Sequence, residues 1–219
     1  MFEEIQPNLH VFYSPNQGSN AYVLIGKKTA LIDLSTNSNA SQLLSGLQAI
    51  GITPEEIELV LFTHGHADHT GCAGLFPQAE KRMHEFDAER IAIKDAGFTC
   101  SEMLGEENFP KIDSHFSEGE VIDLKPFSLR VLFTPGHTAG SVCFFDERNS
   151  LLFSGDTLFW GSCGRTDLPS GNDQQLIASL EKLSEINYSM LLPGHGLVLR
   201  EDQKANLSEV LKSLKQQYI

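Results

Sequence analysis

Short apolar runs and wider apolar spacings alternate along the chain, and they predict strands and amphipathic helices in turn. Apolar runs bounded by polar, glycine or proline residues predict strands at 5–13, 20–25, 29–33, 57–62, 79–84, 121–124, 127–133, 141–145, 151–154 and 190–192. The first three strands follow one another closely, with a Gly-Lys-Lys turn at 26–28. This spacing predicts an antiparallel meander at the start of the fold.

Apolar residues three and four positions apart predict helices between these strands. The predicted helices cover 39–50, 85–95, 173–186 and 203–217, and a shorter helix begins at Thr53-Pro54. The segment 96–116 has a mixed glycine, proline and acidic composition, and it predicts a loop or short-helix excursion that shapes a substrate entrance. Two sheets packed face to face, with helices outside, accommodate this order of elements.

The densest group of reactive side chains directly follows the predicted strand 57–62. Three histidines and a carboxylate, His64, His66, Asp68 and His69, fall within six residues. Side chains alternate along an extended chain, so His64 and His66 point the same way. Asp68 and His69 fall where a turn or short helix begins and therefore point elsewhere. This geometry predicts two ligand pairs, one for each of two metal ions, and the residue types suit zinc, iron or manganese.

Three further candidate ligands share one setting, because each follows a predicted strand and lies beside glycine. They are His137, Asp156 and His195. Strand ends at one edge of a sheet gather loop residues into a common site, so we expect these side chains to join the first cluster. The other histidines of the chain lack this setting and are interpreted as ordinary surface or core residues: His10, His84 and His115.

Asp33 is an unusual acid because it ends the buried apolar run 29–33. A charge in that position costs several kcal/mol unless it is paired or hydrogen-bonded. We interpret Asp33 as a carboxylate that hydrogen-bonds behind the ligands and steadies the ligand loop. A turn or helix-cap carboxylate is the open alternative.

Composition limits the classes of protein to which the chain can belong. Its 219 residues, 41% of them hydrophobic, suffice for one core and predict a single domain over 1–219. The formal net charge of -13 and the lack of a Lys or Arg cluster argue against a nucleic-acid partner. No apolar run is long enough for a membrane helix, so no membrane partner is predicted.

The acidic start of the chain, Met1-Phe2-Glu3-Glu4, does not resemble a signal peptide. We therefore expect a cytoplasmic protein. Its four cysteines, none in a C-x-x-C pair, are expected to remain free thiols there.

The ordered motifs resemble those of the metallo-β-lactamase superfamily over nearly the whole chain. The resemblance is carried by His64-x-His66-x-Asp68-His69, then by His137, Asp156 and His195, with Asp33 at the first motif. The segments Gly-Asp-Thr-Leu-Phe at 155–159 and Cys-Gly-Arg-Thr-Asp at 163–167 resemble the glyoxalase II branch and its persulfide dioxygenase relatives. The resemblance implies an α+β fold, a four-layer αββα sandwich.

The resemblance also implies a ligand assignment. His64, His66 and His137 would bind one metal, Asp68, His69 and His195 the other, and Asp156 would bridge them. The implied cofactors are two divalent ions, zinc first, with iron or manganese as alternatives. An aspartate at 68, where other branches have cysteine, points away from antibiotic-destroying enzymes, and a histidine at 66, in place of glutamate, points away from flavodiiron proteins.

The implied activity is metal-dependent hydrolysis of a small-molecule thioester by a metal-bridging hydroxide, with Asp68 as a catalytic proton acceptor. Arg165 falls where glyoxalase II has a basic residue that contacts the glutathione carboxylate. The two tyrosines of that family fall at Asp167 and Leu197 here, and the segment 196–219 leaves no room for its helical C-terminal domain. For Arg165, a substrate anchor and a structural partner of Asp167 or a loop carbonyl are both open.

Three alternatives accompany this hypothesis. A persulfide dioxygenase would use one iron, bound by His64, His137 and Asp156, and a lactonase or other ester hydrolase would use the same two metals. A non-catalytic metal-binding protein would be recognised by a lost ligand, and none is lost. The sequence predicts neither the native metal nor the oligomeric state.

Overall fold

Two β-sheets form the centre of the computed structural model, which describes residues 2–216. The first sheet has seven strands in sequence order: β1 (Phe2–Gln6), β2 (Leu9–Phe12), β3 (Ala21–Leu24), β4 (Thr29–Ile32), β5 (Ile57–Leu61), β6 (Glu80–Met83) and β7 (Ser114–His115). The second sheet has the order β12-β11-β10-β9-β8, with β8 (Val121–Asp123), β9 (Ser128–Phe133), β10 (Val142–Asp146), β11 (Leu151–Gly155) and β12 (Met190–Pro193).

The direction of the strands decides where their ends meet. Strands β1 to β4 form the predicted antiparallel meander, whereas β4, β5, β6 and β7 run parallel. In the second sheet β11 and β12 are parallel, and β9 runs in the same direction because both β9 and β11 are antiparallel to β10. The carboxyl ends of β9, β11 and β12 therefore lie at one edge.

The facing surfaces of the two sheets form a single apolar core. Ile32 and Leu61 are partners in the β4–β5 register, and they pack with Phe144 and Phe153 of the second sheet. The ring of Tyr22 meets that of Phe153 edge to face at a centroid distance of 5.3 Å. Alternate residues of these strands point to the outer faces, which is why each sheet needs a second layer.

Seven helices lie within the described residues: α1 (Ala40–Ala49), α2 (Ala67–Thr70), α3 (Glu85–Ala92), α4 (Ala96–Thr99), α5 (Ser101–Leu104), α6 (Asp173–Ser184) and α7 (Gln203–Gln216). Helices α1 and α3 cover the outer face of the first sheet, with Leu47 and Ile91 in that core. Helices α6 and α7 cover the second sheet with Leu180 and Leu207. The order of layers is helix, sheet, sheet, helix, so the predicted αββα sandwich is confirmed.

The prediction of one strand over 5–13 is wrong, because the chain turns at Pro7-Asn8 and continues as β2. Asn8 has φ +69°, a left-handed conformation that Asn tolerates, and Phe2 pairs with Phe12 across the resulting hairpin. The excursion 96–116 contains the short helices α4 and α5, as its composition predicts, and it also contains the strand β7, which was not predicted. Residues 1 and 217–219 of the predicted single domain, including the last residue of the predicted helix 203–217, lie outside the described residues.

Two further expectations concern the cysteines and membrane-spanning helices. All four cysteines are free thiols in the structure, as predicted. Over residues 2–216, no helix combines the length and the apolar composition that crossing a membrane requires.

Candidate metal centre

Five strand ends bring the candidate residues together at one end of the sandwich. Asp33 follows β4, His64 follows β5, His137 follows β9, Asp156 follows β11 and His195 follows β12. Within each sheet these strands run in the same direction, so their carboxyl ends lie together. Residues that are far apart in the chain therefore meet there. The sequence predicted that the candidate ligands would come together at strand ends, and the structure has this arrangement.

Three imidazoles form what we call the three-histidine group, His64, His66 and His137. Their candidate ligand atoms all lie within 4.8 Å of one another. The Nε2 atom of His137 is 3.0 Å from Nδ1 of His66, and the ring of His64 lies 4.7 Å and 4.8 Å from those of His66 and His137. All three side chains are buried.

The second cluster, which we call the aspartate–histidine group, consists of Asp68, His69 and His195. Its candidate ligand atoms also lie within 4.8 Å of one another. Oδ2 of Asp68 is 3.1 Å from Nε2 of His195 and 3.8 Å from Nε2 of His69. Helix α2 begins after His66, so the change from extended chain to helix turns Asp68 and His69 away from the three-histidine group.

Asp156 lies between the two groups and touches both. Its Oδ1 is 3.2 Å from Nε2 of His69, and its Oδ2 is 3.5 Å from Nε2 of His137 and 3.6 Å from Nε2 of His195. His64, His69 and Asp156 also form a set within 4.8 Å, so the seven residues make one continuous cluster.

The unpartnered atoms of this cluster fit divalent cations. The Nε2 atoms of His64 and His66 are buried and have no hydrogen-bond partner among the described residues. Such atoms cost free energy unless something binds them. Burial lowers the pKa of His66 to about 3 and that of His64 well below its usual value, so both are neutral, which is the metal-binding form. The His/Asp cluster therefore indicates divalent metal binding.

The charge of the cluster points the same way. Burial lowers the pKa of His69, but the carboxylates of Asp33, Asp156 and Asp68 together raise it well above its usual value. Burial raises the pKa of Asp156, yet the imidazoles of His69 and His195 hold it well below its usual range. The carboxylates therefore attract positive charge, which bound cations would supply.

Asp33 lies behind the aspartate–histidine group and makes three hydrogen bonds. It accepts from the backbone N–H of Thr63 at 2.9 Å, from Oγ1 of Thr63 at 2.8 Å and from Nδ1 of His69 at 2.9 Å. The bond to Nδ1 leaves Nε2 of His69 facing the cluster. Thr63 escaped the sequence analysis, although it directly precedes His64.

Asp87 of α3 was also missed by sequence reasoning. It is fully buried and accepts hydrogen bonds from the Gly65 N–H and from Oγ1 of Thr138, each at 2.8 Å. Burial raises the pKa of Asp87 to about 6. The available signal is an acid on the same helix face as the buried Ala88 and Ile91.

Arg165 lies at the rim, where its guanidinium bonds both oxygens of Asp167 at 2.7 Å. Both side chains are exposed, by 58% and 67%, and the bond lowers the pKa of Asp167 to about 2. The backbone carbonyl of Arg165 accepts from Nδ1 of His137 at 2.7 Å. The pairing with Asp167 is thus the arrangement the structure records.

The three histidines interpreted as ordinary, His10, His84 and His115, lie outside both groups. Nδ1 of His84 caps α3 by accepting from the Phe86 N–H.

The excursion 96–116 lies over the three-histidine group. The ring of Phe98 is 6.0 Å from that of His66 and is almost completely buried. Two bonds tie the excursion to the neighbouring loops, one from the Asn37 N–H to Glu106 and one from the Asn108 side chain to the Gly71 carbonyl, each 2.8 Å. The excursion is therefore anchored beside the three-histidine group.

Comparison with known proteins agrees with this geometry. A family model described as the metallo-beta-lactamase superfamily matches residues 15–195. A probable metallo-hydrolase of Methanocaldococcus jannaschii is 37% identical over 186 residues, which cover 81% of this chain and 87% of that protein. The hydroxyacylglutathione hydrolase GloC of Haemophilus influenzae is 30% identical over 199 residues, covering 85% and 89% of the two chains.

Two solved structures are similar throughout. One is the B3 metallo-beta-lactamase BLEG-1, with a TM-score of 0.75 and 27% identity, covering 95% of this chain and 99% of that one. The other is TTHA1623 in a di-iron-bound form, with a TM-score of 0.74 and 28% identity, covering 91% and 95%. The residues that the family model matches, 15–195, include every residue of the cluster. The chain therefore belongs to the metallo-beta-lactamase superfamily.

Proposed function

We propose that this protein is a metal-dependent hydrolase of a small-molecule thioester, with a lactone or other ester as the alternative substrate class. The observation that carries the proposal is the complete pair of ligand groups with Asp156 in contact with both. The three-histidine group would hold one divalent ion, the aspartate–histidine group a second, and Asp156 would bridge them. Zinc is the first candidate, with iron or manganese as alternatives.

When bound, such ions lower the pKa of water to about 7 and polarise a carbonyl oxygen. The residues of the chain supply the remaining chemistry. We assign to Asp68, whose side chain is 16% exposed, the additional role of accepting the proton of attacking water. Nδ1 of His69 donates to Asp33 and Nδ1 of His137 donates to the Arg165 carbonyl, so both rings are held in one orientation.

The choice of a thioester rests on the name of one relative, and Arg165 adds a place where a substrate carboxylate can bind. The relative from Haemophilus influenzae carries the name hydroxyacylglutathione hydrolase. Arg165 lies exposed at the rim, where its guanidinium can exchange Asp167 for a substrate carboxylate. Arg165 and Asp167 are both exposed to water. The exchange would therefore replace the bidentate bond to Asp167 with a similar bidentate bond to the substrate carboxylate.

The experiment has two parts, metal content and substrate class. Protein purified without added metal is analysed for metal identity and atoms per chain, and about two divalent ions are expected. The same preparation is then assayed with glutathione thioesters, a glutathione-free thioester, lactones and a β-lactam. Hydrolysis of a thioester that is lost on metal removal and restored by zinc supports the proposal.

Two results would overturn it. One tightly held iron per chain, with oxygen uptake on addition of a persulfide and no hydrolysis, would instead identify a dioxygenase. Preferential β-lactam hydrolysis would place the activity with that of BLEG-1, the similar B3 enzyme. As an internal control, Asp156→Ala should remove metal and activity together, and full activity without metal would refute the scheme.

A further inference from the structure

We propose that Asp87 is a positioning residue that holds the three-histidine group in register for its metal ion. The inference rests on the proposed function, because it assumes that this group binds metal. Among the described residues, the recorded side-chain hydrogen bonds of Asp87 go to Gly65 and Thr138, so it acts through the two loops that carry the three histidines.

Asp87 binds the backbone of the first loop. Gly65 lies between His64 and His66, and its N–H donates to Oδ2 of Asp87 at 2.8 Å. A bond at that position fixes the peptide plane that separates the two imidazoles. The angle between the His64 and His66 side chains therefore depends on Asp87.

The second loop binds the same oxygen. Thr138 follows His137, and its Oγ1 donates to Oδ2 of Asp87 at 2.8 Å while also lying 2.8 Å from Oγ of Ser141. One carboxylate oxygen of a helix thus joins two loops whose histidines are separated by 71 positions, His66 and His137. Since β5 and β9 belong to different sheets, this bond also fixes the spacing of the sheets at the site.

The surroundings leave room for this carboxylate and little else. A Cβ atom at Gly140 would lie 2.2 Å from Oδ1 of Asp87, and one at Gly65 would lie 3.2 Å from its Cβ. Asp87 itself is fully buried. Its position behind the three-histidine group corresponds to that of Asp33 behind His69. Asp33 binds His69 and also Thr63 beside His64, whereas Asp87 binds only the loops of the three-histidine group.

The test measures metal binding directly. Metal-free protein is titrated with Co²⁺, and the visible absorption spectrum and the affinity, from competition with a chelator, are recorded for each site. In Asp87→Ala we expect one of two sites to bind about 10–100-fold more weakly, the usual effect of losing a partner behind the ligands. Asp87→Asn keeps an acceptor oxygen and should bind closer to wild type than to Asp87→Ala.

Asp146→Ala is the matched control. Asp146 is also fully buried and accepts hydrogen bonds from the Ser128 N–H at 3.1 Å and the Asn149 side chain at 2.7 Å. It ends β10, which runs opposite to β9, and so lies at the far end of the sheet. Asp146→Ala should lower the melting temperature without changing the cobalt spectrum or affinity.

The outcomes separate this inference from the proposed function. Wild-type protein that binds no ion would overturn both. One bound ion whose affinity falls in Asp87→Ala would overturn the two-metal proposal alone. Two ions in wild type, with unchanged affinity in Asp87→Ala, would overturn the role of Asp87 alone, as would equal losses in Asp87→Ala and Asp146→Ala. If Asp87→Ala does not fold, Thr138→Val decides, because it removes one bond to Asp87, and unchanged affinity there would refute the inference.

Discussion

Adding a single methyl group at Gly194 should disturb both ligand groups at once. A Cβ atom there would lie 2.3 Å from Oδ1 of Asp156 and 2.7 Å from Cε1 of His69, whereas ordinary contacts begin at 3.4 Å. Both side chains must therefore move, Asp156 by about 1 Å to reach an ordinary contact distance. Because a displacement of about 1 Å in a catalytic site can cost about 100-fold in rate, Gly194→Ala should lose about that factor in kcat/KM. The loss corresponds to about 3 kcal/mol of transition-state stabilisation.

The assay compares Gly194→Ala with Gly74→Ala, in which the same methyl group is added at an exposed position. The nearest atom to a Cβ at Gly74 is 3.8 Å away, so no side chain has to move. Metal content, kcat/KM for the best substrate and melting temperature are measured for both variants. We expect Gly74→Ala to match wild type and Gly194→Ala to lose metal or rate while it still folds.

Two results would refute this reasoning. Unchanged metal content and kcat/KM in Gly194→Ala would mean that Asp156 and His69 tolerate the displacement. Equal losses in both variants would mean that the effect is not local to the cluster.

Three further predictions test the surroundings of the site. Asp33→Ala leaves two buried donors, the Thr63 N–H and Nδ1 of His69, without an acceptor, while Oγ1 of Thr63 can still bond Nδ1 of His64. At about 1–3 kcal/mol for each donor, urea unfolding of the metal-free protein should show a loss of about 2 kcal/mol or more, and an unchanged midpoint would contradict this. Arg165→Ala should raise KM for a carboxylate-bearing thioester without changing kcat or stability; an equal effect on a thioester without a carboxylate would count against an anchoring role. Burial raises the pKa of Asp87 from 3.8 to about 6. Between pH 3.8 and about 6, Asp87 therefore keeps its proton in the folded protein and has lost it in the unfolded chain. Stability should therefore fall by about 3 kcal/mol as pH rises from about 4 to about 6, and the same fall in Asp87→Asn would exclude Asp87 as its source.

Most helices and strands could be predicted from the sequence, because the spacing of apolar residues and the residue types of turns are local properties. Strand 57–62 was predicted from its composition and forms β5, and the helix at 39–50 forms α1 within a residue at each end. The error at 5–13 has a local cause as well. An apolar run continues across Pro7-Asn8, and only the left-handed φ of Asn8 shows that the chain reverses there.

The candidate ligands could also be predicted, because each is a histidine or aspartate in or directly after the loop that follows an apolar strand. His137 and His195 are conspicuous as histidines beside glycine after an apolar strand. What the sequence left open for Arg165, a structural partner or a substrate anchor, depends on a side-chain conformation. The structure records a bidentate bond to Asp167, two residues away, which spacing alone does not specify.

The sequence by itself determined the αββα layers, the identity of the clustered residues and the unusual position of Asp33. The place of Asp156 between the two groups was already implied by the family resemblance. Only the tertiary structure decided that Asp87 joins the loops of Gly65 and Thr138. The physical reason is range. Periodicity and residue chemistry act over a few positions, whereas these contacts form only after the packing of the two sheets brings their strand ends together.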